Sequence, residues 1–238
     1  AGDTAMAMAL LGQLEPLLPD LTAPDAARSF VALGRVQSLA GEPVLAEAAY
    51  RESAARSATI PADEPRWTVQ DRVNVIGNLA SMLLAQGREI EAEPLFRQAL
   101  AMGDAGGVAP LVRANLLDGL GMALAAGGHL QAAYDAQRAG LDLRLAALPP
   151  NHAQLGASFG LTGETILRAG EPGIARDALT KALAIADANG DALRAGRAAL
   201  MLAAAEAASG IPAFDRARAA EAVLAGLLPA GRPELAGT

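Results

Sequence analysis

Imidazoles can abstract protons or ligate zinc, and this chain has two, His129 and His152. They stand in different connections, without a His-Glu-x-x-His arrangement, and the sequence has no cysteine to complete a metal set. Solvated or helix-capping histidines are therefore expected, and no metal site. Gly119-Leu120-Gly121 has the look of a dinucleotide loop, but it falls within a helical run with no strand before it, so no cofactor is expected there. The segment from Gly103 to Gly107 could form an anion nest. It lacks the lysine and hydroxyl of a phosphate loop and reads as a turn. Glu89, Glu91 and Glu93 belong to a solvated outer helix face. No nucleophile, acid and base converge, so catalysis is not expected.

What the chain carries instead is a recurring phrase. A helical run ends in glycine, a small residue follows five positions later, a large residue four after that, and a small one three beyond. It is clearest at Gly87, Ala92, Phe96 and Ala99, and it returns at Gly41, Ala46, Tyr50 and Ser53. The glycines are Gly41, Gly87, Gly128, Gly170 and Gly210, spaced by 46, 41, 42 and 40 residues. Such periods mark a stacked helical repeat, in which each unit leaves apolar surface that only a neighbour covers. Residues are 52% hydrophobic but only 3% aromatic, with alanine dominant, which favours slender helices in close contact over a bulky core.

The expected elements are a leading helix over 4–18 and five helix pairs. These are 26–40 with 43–58, 68–86 with 89–102, 109–126 with 129–146, 152–168 with 171–188, and 191–209 with 212–227. Thr68 with Asp71, and Asn151 with Gln154, place a capping oxygen three residues before a polar partner. Each repeat glycine ends a first helix, where a left-handed backbone costs it nothing. Ala92 and Ala99 share one face of a second helix and let Phe96 enter the facing groove. The connection from Thr59 to Trp67 holds Pro61 and Pro65 and accounts for the longest spacing. Its Trp67 either seals a seam between repeats or stands exposed as a partner anchor. The whole reads as one domain over 1–228, with a flexible tail over 229–238. The unpaired leading helix and the start at Ala1 point to a piece of something longer.

These residues carry a resemblance. The stretch Ala92-Glu93-Pro94-Leu95-Phe96-Arg97-Gln98-Ala99-Leu100, the connection Leu148-Pro149-Pro150-Asn151-His152, and Gly163, Gly170, Ala175, Leu179, Ala182 and Leu183 resemble tetratricopeptide repeats of the kinesin-light-chain and bacterial kind, across residues 26–227. Gln137 and Ala219 depart from the pattern at the aromatic position, and Asp215 at the small one. The resemblance implies an all-α fold, a right-handed superhelical array (α-solenoid) of antiparallel helix pairs, about eleven helices in all. It also implies a concave groove lined by the first helices. The matching groove positions are Arg28, Arg35, Asn74, Asn78, Ser81, Asn115, Asp118, Glu164, Arg168 and Arg197. Asparagine amides donate and accept, which suits an extended peptide backbone, and arginine suits carboxylates. The carboxylate clamp of chaperone-binding relatives needs lysine, and the one lysine, Lys181, lies on a second helix.

The expected function is a non-catalytic scaffold that binds a peptide or helical segment of a protein partner. One alternative is a sensor or dimerisation segment of a larger bacterial kinase or transcription regulator. Another is a scaffold that self-associates through its terminal helices, since the last one carries Phe214, Val223, Leu224, Leu227 and Leu228. A net charge of −7, with no basic run, disfavours nucleic acid. The most apolar stretch, Ala198 to Ala208, is broken by Glu206 and too short to span a bilayer. A cytoplasmic setting is expected.

Overall fold

Glycine decides where this chain folds back. In the computed structural model, Gly41, Gly87, Gly128, Gly170 and Gly210 all take positive φ, between 71° and 83°. At Gly87 the turn closes with Gly87 N–H donating to Leu84 O and Arg88 N–H reaching back to Leu83 O, which satisfies carbonyls that the helix end would orphan. The structure describes residues 21–227, so the helix expected over 4–18 and the tail expected over 229–238 lie outside the described residues.

Ten helices and no strand occur among the described residues. They are α1 (Ala23–Leu39), α2 (Pro43–Thr59), α3 (Val69–Ala85), α4 (Glu89–Gly106) and α5 (Pro110–Ala126), then α6 (Leu130–Ala147), α7 (Ala153–Arg168), α8 (Pro172–Ala188), α9 (Ala192–Ala208) and α10 (Phe214–Leu227). A helix stands at each of the ten positions expected for the five pairs. None of these helices is long and apolar enough to cross a membrane. By internal contacts the chain divides into two compact units, Ala1–Gly127 and Gly128–Thr238.

In the first unit α1 packs on α2, α3 on α4, and α5 on both members of the second pair. Thr68 caps α3 as expected: its Oγ1 accepts from Asp71 N–H, while the Asp71 carboxylate accepts from Thr68 N–H at 2.9 Å. Ala46, Ala92 and Ala99 are wholly buried, so second helices approach their neighbours without bulk in the way. The large residues then seat against glycine. A Cβ on Gly34 would stand 2.8 Å from the Tyr50 ring, and one on Gly119 would overlap the ring of Phe96.

Trp67 settles the question its position raised. It is 2% exposed, packed with Ala27, Ile60 and Val75, and its Nε1 donates to Ser57 Oγ at 3.2 Å. It is a seam residue, not an exposed anchor. Arg72 pins the same connection by donating to the carbonyls of Ser57, Ile60 and Pro61.

An ion cluster ties the turn of the first pair to that of the second. Arg88 Nη1 reaches both oxygens of Glu47 at 2.8 Å and forks onto Glu91 through Nε and Nη2, while Arg51 Nε donates to Glu47 at 2.8 Å. The hydrogen bonds from Arg88, then Arg51, pull the Glu47 carboxyl down to about 2, against a smaller opposing push from burial. The folded pKa lies below the unfolded value, so the stabilisation is complete above about pH 4.5 and is lost as pH falls toward 2. Solvent screening of a partly exposed pair keeps the contribution small. Urea midpoints between pH 5.5 and 3 should therefore fall less in Glu47→Gln than in wild type; parallel curves would discount the cluster.

In the second unit α6 packs on α7, α7 on α8, α8 on α9 and α9 on α10, with α7 also touching α9. Ile166, Leu179 and Leu202 centre one cluster, and Leu141, Leu155 and Ile185 another. Two local expectations shift by one residue. The cap of α7 is His152, whose Nδ1 accepts from Gln154 N–H at 3.2 Å, because Asn151 is taken up in the turn that His152 N–H closes onto Pro149 O. In α10 the buried residue is Ala220 and Ala219 is exposed, since Ile211 and Pro212 delay the helix start to Phe214. Gln137, by contrast, does sit buried where an aromatic was expected.

Candidate partner-binding surface

Helical spacing places Asn74, Asn78 and Ser81 along one face of α3, and Asn115 joins them from α5. These four residues line a single pocket of about 120 Å³ whose floor is Val73, Gly77, Phe96 and Leu116. Gly77 lines the pocket without a side chain, and a Cβ there would come 2.8 Å from Leu116 Cδ2, so that the leucine would have to shift. The Asn74 amide is held by Gln70. Gln70 Oε1 accepts from Ala109 N–H at 3.1 Å, and Gln70 Nε2 donates to Asn74 Oδ1 at 3.0 Å, which leaves the Asn74 N–H groups to donate elsewhere. Ser81 Oγ donates to Gly77 O and keeps its lone pairs available. Such a row offers donors and acceptors with no net charge, the pattern that a peptide backbone presents in return.

The remaining groove positions of this unit lie elsewhere. Arg28 is spent internally: it pairs with Asp71, donates to Arg66 O, and lays its guanidinium 5.1 Å from the centre of the Trp67 ring. Burial pushes the Asp71 carboxyl up, but hydrogen bonds from Arg28 and Thr68 outweigh it and leave the pKa lowered. Arg35 is exposed on α1, and Asp118 is half-buried on α5.

In the second unit Glu164 and Arg197 face a larger cavity of about 220 Å³ between α7, α8 and α9, while Arg168 lies outside it at the end of α7. Sequence reasoning missed Arg194 and Met201, which complete its wall, and Gly156 and Gly160, which open it. The glycines, four apart on α7, were the available signal. His129 is exposed at the start of α6 and His152 caps α7, and the described residues contain no group of three or more metal-ligating side chains.

Solved structures share this arrangement of helices. BtubC (BKLC) from P. vanneervenii matches with a TM-score of 0.74 and 18% identity, over 96% of this chain and 93% of its own. The nearly identical TPR-like repeats of a P. anserina kinesin light chain match at 0.66 and 22% identity, over 85% of this chain and 97% of theirs. The fold is a tetratricopeptide-type helical repeat. The same TPR-type fold relates the chain to a Rap protein complexed with competence and sporulation factor, at a TM-score of 0.74 and 15% identity over 92% of this chain, which spans 58% of the Rap protein. No family model matches the TPR-type chain, and no curated protein is similar to it in sequence.

Proposed function

We propose that the chain is a non-catalytic scaffold whose first unit binds an extended segment of a protein partner along the α3 and α5 amides. The observation that carries this reading is the convergence of Asn74, Asn78, Ser81 and Asn115 on one pocket. The Rap protein complexed with a factor adds an instance of this fold holding a partner. Backbone recognition suits such a row: an asparagine amide can donate to a strand's C=O and accept from its N–H, and burial of apolar side chains beside it adds affinity.

Affinity capture from source-cell lysate, with the wild-type chain beside an Asn74→Ala, Asn78→Ala, Asn115→Ala variant, tests the proposal. Asn74 and Asn115 are exposed and Asn78 partly so, so the variant should stay within about 0.5 kcal/mol per site of wild-type stability. At least one partner should be retained by wild type and lost by the variant. Identical captured proteins from both would end the groove reading.

Self-association is a second reading, favoured by α10. Phe214 is 75% exposed, Leu227 48% and Val223 45%, although Leu224 turns inward onto Gly196. Sedimentation velocity should then show a dimer that Phe214→Ser with Val223→Ser disperses. A wild-type monomer at high concentration would remove it.

A further inference from the structure

The second-unit cavity differs in kind from the amide pocket of the first. Its floor is Leu179 and Ala182 from α8 with Ala198 and Met201 from α9, and its charged wall is Glu164 on α7 against Arg194 and Arg197 on α9. Arg194 is paired with Asp191. Glu164 and Arg197 make no ion pair among the described residues, with each other or with anything else, although both line one small space. Two opposite charges left unpartnered beside an apolar floor fit a ligand that carries both signs and one hydrocarbon group.

We propose that this cavity binds a free aliphatic α-amino acid. Its carboxylate would meet Arg197, with Arg194 beside it, its ammonium would meet Glu164, and its side chain would lie on Leu179, Ala182 and Met201. Size supports a small ligand of this kind: at about 220 Å³ the cavity falls below the roughly 300–1,000 Å³ of pockets that take drug-sized molecules. Charge supports it too, because an apolar anion alone would face Glu164 unpaired, and an apolar cation alone would face two arginines. This inference does not depend on the partner-binding reading, which stands on the asparagines of the first unit.

Gly160 supplies the decisive variant. Gly160 lines the cavity and a Cβ there would sit 3.8 Å from Ala182 Cβ, an ordinary contact, so a side chain can be added at this wall without a clash at its Cβ. At Gly156 the same Cβ would be 2.9 Å from Ile185. Isothermal titration of the full chain with L-leucine, N-acetyl-L-leucine and L-leucinamide should give saturable one-to-one binding of leucine. Each blocked form should bind at least about tenfold more weakly, since each loses one charge-assisted contact. Gly160→Leu should keep the helical circular dichroism and thermal midpoint of wild type or exceed them, and lose leucine binding. Glu164→Gln should weaken leucine about tenfold and erase its advantage over N-acetyl-leucine, and Arg197→Gln should do the same for leucinamide. The triple asparagine variant should bind leucine as wild type does, which separates the two proposals.

Three results would overturn the assignment. One is no saturable heat from leucine up to about 10 mM, a tenfold weaker affinity than a millimolar ligand shows. Another is N-acetyl-leucine binding as tightly as leucine, which would mean a site for the carboxyl end of a peptide. The third is undiminished leucine binding by Gly160→Leu, which would put the ligand elsewhere.

Discussion

Trp67→Ala should lower the stability of the first unit by about 3–5 kcal/mol, the range for emptying a fully buried aromatic site. The side chain is 2% exposed and touches α1 through Ala27, the connection through Ile60 and α3 through Val75, so its removal opens a void that three segments share. Two further losses add to it. Ser57 Oγ gives up its indole donor, and Arg28 gives up the ring face beneath its guanidinium. Urea unfolding followed by circular dichroism measures the change, since the variant contains no tryptophan to report fluorescence. Trp67→Phe retains most of the apolar volume and should lose much less. If phenylalanine costs as much as alanine, packing at the seam is not what Trp67 contributes.

The second large effect belongs to Phe96 and Gly119. Phe96→Ala should cost about 3–5 kcal/mol for the same reason. Gly119→Ala acts on the other side of the contact: the new Cβ collides with the Phe96 ring, at about 1–3 kcal/mol, against a gain of about 1 kcal/mol for replacing a helical glycine. Combined, the alanine methyl occupies part of the space that the ring vacated, so the double variant should be more stable than the sum of the singles by about 0.5–3 kcal/mol. Strict additivity in urea midpoints would show that the two residues do not share the contact.

Much of this architecture could be read along the chain because it is written in local terms. Positive φ at Gly41 or Gly87 needs only a residue without a Cβ, and the Thr68 cap needs only Asp71 three positions later. The amide pocket was legible for a related reason: period puts Asn74, Asn78 and Ser81 on one face, and the repeat puts Asn115 beside them. What escaped depends on distant chain. Arg28 holds the position of a groove residue, yet the connection carrying Arg66 and Trp67 returns over α1 and claims it. Gly156 and Gly160 are plain in the sequence, but an absent side chain becomes a cavity only where the opposing helices leave its space unfilled, which depends on how α8 and α9 pack on α7. The slips at His152 and Ala220 arose where proline-containing connections moved a helix start by a residue or two.

The turn glycines carry one more consequence. A Cβ built on Gly41, Gly87, Gly128, Gly170 or Gly210 meets no atom within 4 Å, yet each backbone bends to the left-handed side. What these corners require is chirality rather than smallness. An ordinary alanine would have all the room it needs and the wrong hand, whereas its mirror image, introduced by chemical synthesis, would find both the room and the bend already prepared.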